Sequence, residues 1–436
     1  MQHTFGRRAS FWTAAAVAAL ALWTSAAPTL SYPLYATAWG LTPAVTTAVF
    51  AVYPIVMVAA LLVFGDLSDS IGRRATLLIG LSLSALGVLG FALATDVTWL
   101  FVGRAFMGAG VALSLSPATA AMVDFSPAGQ THRASSVTTA ATAVGLVLAL
   151  LVSGGLIQYA PWPRHLSFWA TLAAVLAVLT LTWFLPRHVP DGSVAPWRPR
   201  RPSVPRRIRG IYVTAALAVT AGYAIGAVLL SLGAQVAKQL IGTQNALVAA
   251  AVLAINATVI GSVAILARGV PARRSIVGGG TAAVLGLGTL VLSAEQHSFA
   301  LFLVASLLTG AAYSLLFLGG LALINDHAAQ SHRAGTLSAV YLVAYLLQGV
   351  TALALGIGAT ESGLLAALRV GAPLIAVLGV LAAVAARTIA RAPAPELVGG
   401  AVGGAMQVVP VSDAAPTVPV LVPVAAGEPT TAGGCR

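Results

Sequence analysis

The chain offers few groups able to move a proton, hold a metal or attack a carbonyl, and those it has are grouped. One group is the stretch "GDLSDSIGRRATLL", Gly65 to Leu78, which sets two carboxylates and two arginines between apolar runs. A second is a lone arginine, Arg104, inside "LFVGRAFMGAGVA". A third is Tyr341, Tyr345 and Gln348, whose i, i+4, i+7 spacing puts all three on one helix face. None of these patterns assembles a catalytic or metal site. The seven histidines are scattered, and Gly278-Gly279-Gly280 lacks the Lys-Ser/Thr that completes a phosphate loop. The eleven carboxylates, Asp124 among them, all fall in loops, at helix ends or on the C-terminal tail. Catalysis, ATP hydrolysis, a metal centre and a cofactor are therefore not expected. A single cysteine, Cys435, has no internal partner for a disulfide.

The elements that carry these groups follow from hydropathy. Apolar residues make up 58% of the chain and charged ones 8%, with a mean hydropathy of +0.93. A soluble domain carries about 25% charged residues, so this chain cannot cover a globule in water. Phe11 to Pro28 and Ala75 to Thr95 contain no charge at all. Runs of about 18 or more apolar residues span a bilayer as helices, which satisfy their own backbone groups. Their uniformity excludes the alternating segments of a membrane barrel. The expected fold is all-α and integral to the membrane, with twelve transmembrane helices near 11–34, 44–64, 75–95, 98–122, 134–158, 166–185, 211–236, 246–267, 275–294, 298–323, 335–358 and 364–386. These divide into a short N-terminus (1–10), a six-helix bundle (11–185), a basic Pro/Arg-rich linker (186–210), a second bundle (211–387) and a Pro/Ala/Val/Gly tail (388–436) that is expected to be disordered. Arg7-Arg8 before an apolar run and "TSAAP" also fit a signal peptide, but the run starting at Phe11 has an internal counterpart at Ile211, which favours a first span.

Basic residues set the orientation. With the N-terminus inside, all but four of the 23 (Arg104, Arg164, Lys238 and Arg369) fall on cytoplasmic connections or termini. Both termini are therefore expected in the cytoplasm of a cell whose inner, plasma membrane holds the protein. The formal charge of +12 then marks contact with anionic lipid headgroups and not with nucleic acid.

An interval of 200 runs through the chain. "QTHRAS" at 130–135 returns as "QSHRAG" at 330–335, and both are placed in cytoplasmic loops. Arg73-Arg74 return as Arg273-Arg274, Gly80 as Gly280, Gly110 as Gly310, and Ser114-Leu115 as Ser314-Leu315. Two parallel six-helix repeats follow, with a site expected near midplane between them. Arg133 and Arg333 oppose the dipole of the helix that each begins and need an anionic partner, for which Asp124 and Asp326 are candidates.

With the spans placed, "GDLSDSIGRRATLL" resembles the major facilitator superfamily signature G-x-L-x-D-x-x-G-R-R/K, matched at Gly65, Leu67, Asp69, Gly72, Arg73 and Arg74. The resemblance implies the twelve-helix transporter fold, akin to its bacterial drug and solute efflux branch. It also implies that Asp69 latches onto the start of span eleven and stabilises an outward-open state. Read as residues alone, Gly72 permits a tight turn, Gly65 a close helix approach, and the arginines hold the loop inside. The stretch from Leu100 to Ala112 is similar to the family pattern L-x-x-x-R-x-x-Q-G-x-G-A-A, with Arg104, Gly108 and Gly110 in place and Met107 replacing glutamine. Two readings of Arg104 stand, a cavity-facing cation and an arginine snorkelling outward to the headgroups. Span five departs from the antiporter pattern, because Ala149 and Leu150 stand where Gly-Pro is expected. In the family, spans one, four, seven and ten line the cavity, with help from five and eleven. On those spans Tyr32, Arg104, Tyr223, Tyr313, Tyr341, Tyr345 and Gln348 are candidates for substrate or coupling, and helix–helix glue is the competing role. Asn256 in span eight reads as such glue. Aromatics with one arginine suit a small organic molecule, amphipathic or anionic. Protons are a candidate coupling ion, through boundary residues such as Asp124 with Arg104 as its electrostatic partner. A facilitator without protons, an uptake carrier and a non-transporting receptor remain as alternatives, and a monomer is expected.

Overall fold

A computed structural model describes residues 4–127, 131–186, 204–328 and 330–389. Most of the linker, the tail and Cys435 lie outside the described residues, as do Gln130 and the side chains of His132 and Arg133. The described chain is helical throughout and contains twelve helical segments long and apolar enough to cross a membrane.

In the N-terminal half the elements are α1 (Arg7–Ala26), α2 (Tyr32–Trp39), α3 (Pro43–Phe64), α4 (Leu67–Ile71), α5 (Arg73–Ala92), α6 (Val97–Phe125), α7 (Thr131–Tyr159) and α8 (Leu166–Trp183). The C-terminal half holds α9 (Arg209–Ala227), a short α10 (Gly233–Gln235), α11 (Ala246–Leu266), α12 (Ala272–Glu295), α13 (Phe299–His327), α14 (Gln330–Ser362) and α15 (Leu364–Thr388). The repeat shows in the boundaries, since α6 begins at Val97 and α13 at Phe299, and α7 at Thr131 and α14 at Gln330. The caps repeat in role with different residues. Asp96 and Ser298 accept from backbone amides at the starts of α6 and α13, and Thr42 and Asn245 do so for α3 and α11. Hydrogen bonds from Thr98, through its hydroxyl and then its amide, hold the Asp96 carboxyl below the ordinary carboxylate range.

Three expectations are corrected. The first span ends at Ala26 and not near 34, because Pro28 and Pro33 interrupt it and Tyr32 starts a separate helix. Span seven does not stop near 236. It runs on to Leu240 by widening into two π-helical segments, Val228–Leu232 and Val236–Leu240, on either side of α10. The polar hexamers are not loops, since Thr131–Arg133 and Gln330–Arg333 form the first turns of α7 and α14. A helix outgrows its apolar core when its ends reach water and headgroups, and α7 and α14 run to 29 and 33 residues.

Each half packs around its own core. Phe50, Phe91, Leu100, Met107 and Phe168 are buried in the first, and Ile276, Leu287, Phe302, Leu316 and Leu368 in the second. A third cluster lies on the seam and joins Leu30 and Leu150 to Leu229, Ala234, Ala250 and Leu253. The halves meet where α3 packs on α14 and α7 on α11. Span five packs without Gly-Pro: Gly154 lies against Ala250 across the seam, Gly145 against the Ala19 backbone within its own half, and Ala149 and Leu150 are buried.

One end of the molecule carries Arg7, Arg73, Arg74, Arg268, Arg273 and Arg274 and is called the arginine-rich face below. At the opposite face the halves are bonded together. Gln235 donates to Thr46 Oγ1 (3.2 Å), the Ala44 amide to Thr360 (2.9 Å), the Ala246 amide to Gln158 (2.7 Å) and Asn245 to Tyr159 (3.2 Å). At the arginine-rich face, Arg268 donates across the halves to Ser136 and Thr139.

Candidate functional site

The loop from α3 to α5 is built by its residue types. Gly72 takes φ +87°, a left-handed region that a side chain would strain, and so turns the chain from α4 into α5. Gly65 is in ordinary helical conformation and closes α3, and Leu67 opens α4. Asp69 is exposed, with Ser68 Oγ donating to its carboxylate at 3.3 Å. The side chains of Gln330, Ser331 and Ala334 at the start of α14 lie outside the described residues.

Both arginines of the loop tie it to other helices. Arg73 Nε pairs with Asp124 Oδ2 at 2.9 Å, at the end of α6. Arg74 donates to the Leu185 carbonyl (3.1 Å) and lies over the Trp183 ring, 5.4 Å from its centroid, at the end of α8. Asp124 is thus engaged by Arg73, which corrects the pairing expected with Arg104, while the Arg133 side chain lies outside the described residues. The physical reason is position: Asp124 closes α6 at the arginine-rich face, whereas Arg104 lies near the start of the same helix, about 30 Å away along its axis. Both residues lie on the side that charge bias assigns to the basic loops, and that signal could have found the pair.

Arg104 does not snorkel. It is 1% exposed, its Nη1 donates to the Ser25 carbonyl at 2.9 Å, and its Cζ sits 4.8 Å from the Tyr53 ring centroid and 5.5 Å from that of Phe50. A cation over two ring faces regains part of its lost hydration. Tyr32 is buried beside Arg104. Gly108 lies at the crossing of α3 and α6, where an added Cβ would stand 2.6 Å from the Tyr53 carbonyl. Its role in the fold is to let α3 bring Tyr53 close.

Facing this pole is a cluster of rings from α9, α13 and α14. Tyr223 stacks on Tyr313 at 5.9 Å and lies 4.7 Å from Tyr345, and Tyr341 is 6.3 Å from Tyr345. Phe317 joins them, 5.8 Å from Tyr223 and 6.4 Å from Tyr341. Gly226 makes room, because an added Cβ would meet the Tyr313 ring at 3.0 Å, with the Gln348 amide at 4.0 Å. Tyr345 also packs against the core of the N-terminal half, to which Tyr53 belongs. The tyrosine cluster therefore abuts the half that carries Arg104.

Sequence reasoning missed Phe50, Tyr53 and Phe317. Phe317 is one helical turn from Tyr313 and was findable by that spacing. The other two sit on span two, which the family pattern does not count among the cavity helices. Other polar residues serve packing: Ser314 Oγ donates to the Ile260 carbonyl (2.9 Å), and Asn256 Nδ2 to the Ser306 carbonyl (2.7 Å) and Thr309 Oγ1 (3.1 Å). Among the described residues no group of three or more His, Cys, Asp or Glu converges as a metal site.

Comparison with known proteins agrees with this architecture. Residues 11–270 match the model of the Major Facilitator Superfamily. The Lincomycin resistance protein of Streptomyces lincolnensis is 36% identical over 110 residues, 25% of this chain and 23% of the relative. The uncharacterised MFS-type transporter EfpA of Mycobacterium tuberculosis is 31% identical over 111 residues, 25% of this chain and 21% of its own. The matched stretch thus spans less than a quarter of either relative. Among solved structures, a peptide transporter POT in complex with sulfate superposes with a TM-score of 0.71 at 16% identity, covering 87% of this chain and 94% of that one. A D-xylose–proton symporter gives 0.70 at 16%, covering 87% and 97%. A bacterial homologue of the human lysosomal transporter Spinster, inward-facing and unoccupied, gives 0.69 at 15%, again covering 87% and 97%. At such identities the likeness concerns the fold alone. Signature loop, paired six-helix halves and family match converge: this chain is a multi-pass membrane protein belonging to the Major Facilitator Superfamily.

Proposed function

We propose that the protein is a secondary transporter that carries a small organic solute across the membrane by alternating access, its two halves rocking about the region between Arg104 and the tyrosine cluster. The observation that carries this reading is Tyr345. It belongs to the ring cluster of one half and packs against the core of the half that holds Arg104, so a solute held there contacts both moving bodies. The positive-inside bias supports a plasma-membrane protein with the arginine-rich face and both termini in the cytoplasm. In that orientation the face carrying the bonds of Gln235, Ala44, Ala246 and Asn245 is external. Gly65, Leu67, Asp69, Gly72, Arg73 and Arg74 are then the switch loop, with Asp69 available to engage the start of α14 when the cytoplasmic side closes. Partial likeness to a lincomycin resistance protein supports export of a drug-like solute.

The described carboxylates at Asp66, Asp69, Asp96, Asp124, Glu295, Asp326 and Glu361 lie in the switch loop or at helix ends. This favours a second reading, a facilitator that works without a proton. Flux into proteoliposomes, with and without a pH gradient, separates the readings. Flux that follows the gradient supports proton coupling, and flux indifferent to it supports the facilitator. No flux for any member of a broad solute panel would sink the transporter reading. Reporter tags after Val194 and at the C-terminus are both expected in the cytosol, and tags on opposite sides would overturn the topology.

A further inference from the structure

The start of α1 and the end of α6 enclose a cavity of about 450 Å³, lined by Arg7, Arg8, Phe11, Trp12, Phe125 and Pro127. Its size is that of a small-molecule pocket. It lies at the arginine-rich end of two membrane spans, well away from Arg104 and the tyrosine cluster. Arg7 holds it together, donating to the Ser126 carbonyl (2.8 Å) and the Asp124 carbonyl (3.5 Å). Arg8 is exposed and has no hydrogen-bond or ion-pair partner among the described residues. One turn further along the same helix face stands Trp12, 51% exposed and edge-on to the buried Phe11 ring at 5.5 Å. An exposed tryptophan at the end of a span, with an arginine one turn outward, is the pattern of a residue seated at the membrane interface. The Asp124 carboxylate at this end of α6 is neutralised by Arg73, so the rim keeps the positive charge of its arginines.

We infer that this cleft binds an anionic phospholipid of the leaflet on the arginine-rich side. Arg8 takes the phosphodiester, Trp12 lies beside the glycerol esters, and Phe11 and Phe125 receive the first methylenes. A zwitterionic lipid brings no net charge to Arg8 and binds less well, by about fivefold for one basic residue near the surface.

The test uses the full chain in vesicles of phosphatidylcholine alone or mixed with phosphatidylglycerol, the acyl chains of one component being brominated to quench tryptophan. The chain has eight tryptophans, so the Trp12 signal is taken as the difference between the unmodified protein and Trp12→Phe. Brominated phosphatidylglycerol should quench Trp12 at about one fifth of the mole fraction that brominated phosphatidylcholine needs. Arg8→Gln should remove that preference and Arg8→Lys should keep it. Excess inorganic phosphate should leave the quenching unchanged. Equal quenching by the two lipids, or a preference that survives Arg8→Gln, overturns the proposal. Relief of quenching by inorganic phosphate also overturns it, in favour of a soluble anion. If Arg8→Gln fails to insert, the contrast between lipids in the unmodified protein decides alone.

Discussion

The two halves share one order of helices yet bring opposite chemistry to the middle of the molecule. Among the described residues, the N-terminal half contributes one buried cation, Arg104, held by a carbonyl and two ring faces. The C-terminal half contributes Tyr223, Tyr313, Phe317, Tyr341 and Tyr345, packed ring on ring. The divergence extends to the glycines that the interval of 200 relates. Gly80 and Gly110 face each other where α5 crosses α6. Their counterparts part company, with Gly280 against Gly379 of α15 and Gly310 against Asn256 of α11. The halves share helix order and the starts of their fourth and fifth spans, while the contacts between helices differ. Charge in one half and polarizable surface in the other is a division suited to holding an amphipathic solute at two points.

Removing the cation should have the largest effect. Arg104→Ala is expected to cut transport about 10- to 100-fold, in line with 1.4–2.8 kcal/mol of lost interaction. Arg104→Lys should rescue it only in part, since an ammonium does not stack as a guanidinium does. Full activity in Arg104→Ala would reduce the cation to packing and break the contrast.

The aromatic pole should respond less steeply and in a different parameter. Tyr345→Ala is expected to raise KM about tenfold, through two ring contacts of about 0.5–1.5 kcal/mol each, with kcat changed less. Tyr345→Phe should stay within about threefold if the ring and not the hydroxyl does the holding. An unaltered KM in Tyr345→Ala would move the binding site elsewhere.

At the loop from α3 to α5, proposed as the switch, the changes should be modest and kinetic. Asp124→Asn removes the partner of Arg73 in a pair that is about one third exposed, so a two- to fivefold slower turnover is expected, with insertion intact. Asp69→Asn should also slow cycling, and normal turnover there would remove the latch. Asn256→Ala should cost least, about 0.6 kcal/mol of stability in thermal unfolding, with transport unchanged. A transport defect in that variant would bring α11 into the solute path.

Much of the architecture was legible because its causes are local. Hydropathy located all twelve spans, and charge separated one face from the other. Glycine chemistry also foretold the turn at Gly72, whose φ is +87°. The misplaced ends have equally specific causes: prolines cut α1 short, and π-helical turns carried span seven to Leu240. Of the candidate site, residue types and helix faces were readable, as the shared face of Tyr341, Tyr345 and Gln348 illustrates. The partners were not. Nothing in the sequence says that Arg104 would find the Ser25 carbonyl, or that Phe50 and Tyr53 of an unsuspected helix would supply the rings beneath it.

The sequence by itself determined that the chain enters a membrane, how many times it crosses, which face is basic and that the halves repeat. Each of these is a property of a segment in its solvent, settled by apolar length and by charges that must stay in water or near headgroups. Tertiary structure alone decided which residues meet, because a helix in hydrocarbon has no strong preference among apolar neighbours. Association there is settled by close packing, as Gly145 on Ala19 and Gly154 on Ala250 show, and by the few polar groups that must find one another.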